Sequence, residues 1–109
     1  MNTLENVSKR IATHACVKDE KFGIDPATIT LIISLIINLV RLWWSCYGKK
    51  TAIDQIKTPS WLFKLFLKRE IRKNFKGKQR QYLYEAFMDV APTITEKELS
   101  NITQEIQRK

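Results

Sequence analysis

Residues 26–47 read PATITLIISLIINLVRLWWSCY, and whatever covers this stretch decides the fold. Wound as a helix at about 100° per residue, it sets Thr30, Ser34, Asn38, Arg41 and Ser45 on one narrow polar stripe and leaves the remaining circumference to Ile, Leu, Val and Trp. A helix so apolar needs a cover of protein or of lipid. Its 22 residues span about 33 Å, enough to cross the hydrocarbon core of a bilayer.

Under lipid, the ten Ile, Leu and Val side chains between Ile29 and Leu42 favour insertion by about 3 to 6 kcal/mol. Arg41, off centre and able to snorkel, opposes them by less than the roughly 2.5 kcal/mol of a central arginine. Trp43, Trp44 and Tyr47 would then form an interfacial belt, with Lys49 and Lys50 as a cytoplasmic anchor. Under protein, the helix is the strut of a small bundle. The chain's other helices and copies of itself cover Ile29, Ile32, Ile33, Ile36, Ile37, Val40, Trp43 and Trp44, while the polar stripe faces water or a seam between protomers. Only residues 26–40 are wholly uncharged, short for a strong spanning segment, which favours protein.

The rest of the chain also reads as helix. Gly23, Gly48 and Gly77 close segments, and Pro26, Pro59 and Pro92 stand at or before new ones. Asp25-Pro26 pairs an N-cap oxygen with a residue suited to the first turn, Thr58-Pro59 repeats the device, and Thr95 to Glu98 is a capping box. Helices are expected at about 3–20, 26–47, 59–75, 78–90 and 95–107, with at most a helical turn at Ile53 to Ile56 in the connector. No segment alternates as a strand would. The expected fold is therefore all-α, a single domain over 1–109 with about five helices around one long, mostly apolar helix. Its parts are an N-terminal helix in 1–25, the apolar helix 26–47, a segment 48–80 and a C-terminal helical hairpin in 81–109.

Charge singles out the third part. The chain carries 19 basic and 11 acidic residues, a formal charge of +8, and residues 48–80 alone hold eleven basic and two acidic ones. Within PSWLFKLFLKREIRKNFKGK, Phe63, Leu67, Ile71 and Phe75 recur every fourth position opposite Arg69, Lys73 and Lys76, which makes one amphipathic basic helix. Lys64, Lys68, Arg69, Arg72, Lys73, Lys76, Lys78 and Arg80 are the candidate contacts to an anionic partner, with Trp61 placed to lie at an interface. That partner is an anionic lipid surface, an acidic protein face or nucleic acid, although no nucleic-acid-binding motif occurs. The bland alternative is a solvated face, offset in cis by Glu85, Asp89, Glu96, Glu98 and Glu105.

Catalysis finds few parts here. The only histidine, His14, lies two positions from Cys16 and so faces elsewhere on a helix, and neither a glycine-rich phosphate loop nor a metal-binding motif occurs. With two cysteines, Cys16 and Cys46, thirty positions apart, no zinc site can be assembled, and both thiols are expected to pack as small hydrophobes. No cofactor or small-molecule substrate is implied. MNTLENVSKRIATH lacks the pattern of a cleaved secretory signal, so the sequons at Asn6 and Asn101 are expected to be chance matches.

The run Ile24-Asp25-Pro26-Ala27-Thr28-Ile29-Thr30, opening an apolar helix that ends in Trp43-Trp44-Ser45-Cys46 before a basic segment and a small helical end, resembles short uncharacterised proteins of tailed bacteriophages over about residues 22–106. That resemblance implies a virion-associated or infection-accessory protein and carries no site residues with it. The leading expectation is a non-enzymatic assembly protein of the virion or host cytoplasm, a homo-oligomer or a partner of other virion proteins. Its rivals are a holin-like or membrane-anchored single-span protein of the host inner membrane and a non-specific nucleic-acid binder.

Overall fold

Side-chain caps open three of the helices in this chain. The computed structural model describes residues 3–108; Met1, Asn2 and Lys109, which complete the expected domain, lie outside the described residues. Asp25 accepts hydrogen bonds from the Thr28 backbone N–H at 3.3 Å and the Thr28 hydroxyl at 2.8 Å, starting the long helix with Pro26 in its first turn. The helices are α1 (Thr3–Lys18), α2 (Pro26–Tyr47), α3 (Lys49–Lys57), α4 (Trp61–Asn74), α5 (Gln79–Val90) and α6 (Glu96–Gln107), with a 3-10 turn at Ala91–Thr93 before α6. Among the described residues there is no strand, and the fold is an all-α bundle.

Two boundaries differ from expectation. Residues 49–57 form a full helix rather than a loose connector: Gly48, at φ 97°, turns the chain out of α2, and Ala52 and Ile56, one helical turn apart, are buried beneath α3. The cap of α4 is Ser60, whose hydroxyl accepts the Phe63 N–H at 3.3 Å, and not Thr58. The Thr58 N–H instead donates to the Asp54 carbonyl and closes α3, so Pro59 only separates the two helices.

The core draws on all six helices, with the longest buried stripes on α1 and α2. Ile29, Ile32, Leu35, Ile36, Leu39, Val40 and Trp43 of α2 are buried, and α2 packs on α1, α3 and α4. The buried stripe of α1 is Leu4, Val7, Ser8, Ile11, Ala12 and Ala15, whose three small residues let neighbouring backbones approach closely. α1 thereby touches α2, α5 and α6. The expected C-terminal hairpin is not the arrangement found, because α5 and α6 each rest mainly on α1, redirected by the 3-10 turn that holds Pro92. Glu105 of α6 accepts the N–H groups of Thr3 and Leu4 at 3.1 and 3.0 Å, satisfying orphan donors at the start of α1.

Candidate anionic-surface docking face

One face of α2 has its partners within the chain. Ile29, Ile32, Ile36, Val40 and Trp43 are buried in the bundle against α1, α3 and α4, and Ile33, Ile37 and Trp44 are half-buried against the same core. Thr30, Ser34, Asn38, Arg41 and Ser45 face outward, as the stripe requires, flanked by Leu31 and Leu42, each 38% exposed. Arg41 reaches the Ile106 carbonyl at 3.3 Å, so part of the stripe caps the last turn of α6. By length and composition α2 is long and apolar enough to cross a membrane.

α4 is laid out differently. Phe63, Leu67, Glu70 and Ile71 face inward, with Phe63 edge-on to Trp43 at 5.4 Å. All eight expected cations, Lys64, Lys68, Arg69, Arg72, Lys73, Lys76, Lys78 and Arg80, are exposed. So are two large apolar side chains on the outer face, Trp61 at 74% and Leu65 at 45%. On the helical wheel Trp61, Leu65 and Arg72 form one outward ridge, with Lys64 and Lys68 on one flank and Arg69 on the other.

The cations are not equivalent. Arg80 donates through Nε to the Phe75 carbonyl at 2.6 Å and through Nη2 to the Arg72 carbonyl at 3.1 Å, which clamps the C-terminal end of α4 and makes Arg80 largely a structural residue. Lys73 lies 3.5 Å from the buried Glu70 carboxylate, and Lys68 sits over the Tyr84 ring at 4.9 Å. Among the described residues Lys64, Arg69, Arg72, Lys76 and Lys78 have no ion-pair partner.

The offset expected from the C-terminal acids does not reach this face. Glu85 and Asp89 pair with Lys18, Glu98 with Arg10 and Glu96 with Lys57, while Glu105 caps α1. Residues 64–80 hold eight basic residues and one acid, a net +7 of the chain's +8, concentrated in α4, the turn after it and the start of α5. Between α4 and α5, Lys68, Ile71, Arg72, Arg80, Gln81 and Tyr84 line a mostly apolar cleft of about 280 Å³ with a cationic rim.

Sequence periodicity locates the basic face but misses Leu65 and this cleft. The signal for Leu65 was present: with Phe63 and Leu67 both facing inward, the residue between them has to face out. Cys46 is exposed and Cys16 half-buried, both as free thiols, so Cys46 departs from the expected core role because it falls on the outer edge of the last turn of α2. His14 is exposed beside Asn6, Lys9, Arg10, Thr13 and Glu98, and no cluster able to hold a metal ion occurs among the described residues. No family model matches the chain, and neither curated proteins nor solved structures show a significant likeness to it.

Proposed function

We propose that this protein is a non-enzymatic docking module that attaches through the outer face of α4 to a polyanionic partner. The observation that carries this reading is the uncompensated charge: the C-terminal carboxylates are spent on α1 and α3 and Glu70 meets only Lys73, leaving Lys64, Arg69, Arg72, Lys76 and Lys78 unpaired. Grouped cations without internal partners raise self-repulsion and gain most when an external anion releases its counterions. The assembly role implied by the bacteriophage resemblance enters here as a setting, a component that binds its neighbours by charge. Self-association through the inner face of α2 is no part of this proposal, since Ile29, Ile32, Ile36, Val40 and Trp43 are buried in the chain's own core.

Elution from immobilised heparin tests it. The wild-type chain should elute well above physiological salt, and a Lys64→Gln, Arg69→Gln, Arg72→Gln, Lys76→Gln variant should elute far earlier, with the helical circular dichroism signal preserved because all four side chains are exposed. Equal elution of the two proteins would refute the reading.

A further inference from the structure

We infer that the polyanion is the headgroup surface of an anionic bilayer, on which α4 lies with Trp61 and Leu65 inserted and Lys64, Lys68, Arg69 and Arg72 against the phosphates. This rests on the docking role proposed above and names its partner. Three observations point to lipid. First, Trp61 and Leu65 are held out in water one turn apart on the same ridge as Arg72, with cations on both flanks. A phosphate backbone would use the cations, and a base could stack on Trp61, but neither accounts for an exposed leucine beside it. A bilayer accepts all of them, since apolar side chains enter the acyl boundary while flanking lysines and arginines snorkel to the headgroups.

Second, the bundle end where α4 begins carries more of the same chemistry. The Trp43 ring contacts Tyr47 at 4.4 Å and Phe66 at 5.5 Å, which ties the half-exposed Tyr47, and the exposed Lys49 and Lys50 that follow it, to the first turns of α4. A half-exposed tyrosine beside exposed lysines suits a membrane interface. Third, Arg72 of the ridge and Lys68 on its flank also line the rim of the cleft between α4 and α5. A single lipid headgroup seated there would meet two cations and apolar walls, with Arg80 held rigid by its two carbonyls.

The experiment is co-sedimentation of the full chain with vesicles of phosphatidylcholine alone and of phosphatidylcholine mixed with phosphatidylglycerol. Binding should require the phosphatidylglycerol, and each cation neutralised among Lys64, Arg69 and Arg72 should weaken it about fivefold. Trp61→Ala should weaken it about tenfold or more and abolish the blue shift of tryptophan emission on binding. Trp61 is largely exposed, so this variant keeps its fold, and Leu65→Ser serves as the independent check. Binding that ignores both Trp61 and Leu65 would overturn the inserted geometry. Retention on heparin without vesicle binding, or tighter binding to a short DNA duplex than to the anionic vesicles, would overturn lipid as the partner and leave the docking role standing. Failure on heparin, DNA and vesicles alike would overturn both.

Discussion

Glu98 joins the start of one helix to the side of another. Its carboxylate accepts the Thr95 N–H at 3.0 Å while its own N–H donates to the Thr95 hydroxyl at 3.1 Å, and its second oxygen meets Arg10 Nη1 at 2.7 Å. The hydrogen bond from Thr95, and then the positive charge of Arg10, hold the Glu98 carboxyl below its ordinary value near 4.5, against an opposing effect of burial. A carboxyl whose folded pKa is depressed adds stability above its unfolded pKa and loses it as pH falls through the folded value. Glu98→Gln should therefore be less stable than wild type at neutral pH, and the difference in thermal midpoint should shrink as the pH is taken below about 4. A constant difference down to strongly acidic pH would show that the charge contributes nothing. Thr95→Ala removes the other half of the box and should cost about 1 kcal/mol in a denaturant titration. The box is legible in sequence because its parts lie three residues apart; the Arg10 contact is not, since it closes over 88 residues.

α1 and α2 show how unevenly helices announce their roles. α2 is plain in sequence because long aliphatic side chains repeat around most of its circumference, and the structure buries seven of its residues. α1 looks peripheral because its apolar stripe is thin, yet Leu4, Ala12 and Ala15 are fully buried and the helix touches three others. Small residues carry little hydrophobic signal but permit close packing, and that is why α1 is underread. Ala12→Leu should accordingly cost about 1 to 3 kcal/mol by overpacking, and Leu39→Ala about 2 to 5 kcal/mol by leaving a cavity. Both should lower the urea midpoint with an unchanged slope, and a midpoint unmoved by Ala12→Leu would mean that α1 has room the structure does not show. α3 and the separate seating of α5 and α6 were illegible for a related reason: each depends on which neighbour a short helix meets, and an apolar stripe on nine or twelve residues does not name that neighbour.

At the scale of the whole molecule, two features of one chain compete for a membrane. α2 has the length and composition of a span, whereas α4 carries the charge and the exposed Trp61 of a peripheral contact. The bundle sets the order between them. For α2 to enter lipid it would have to leave α1, α3 and α4, uncovering Leu4, Ile11, Phe63 and Leu67, which are buried to within 1% of complete, and it would carry Thr30, Ser34, Asn38 and Arg41 into the bilayer. The transfer of α2 would gain only the apolar surface it still shows to water, at Leu31, Leu42 and the half-buried Ile33, Ile37 and Trp44, while the helices left behind would lose their cover. α4 can meet a surface with the bundle intact. Membranes from expressing cells should therefore release the protein on alkaline carbonate extraction and also at high salt, since a contact made by Lys64, Arg69 and Arg72 is screened over a Debye length of about 3 Å at 1 M salt. Retention through both treatments would mean that the bundle opens and α2 spans the bilayer. Release by carbonate but not by salt would mean that Trp61 and Leu65, rather than the cations, dominate the contact.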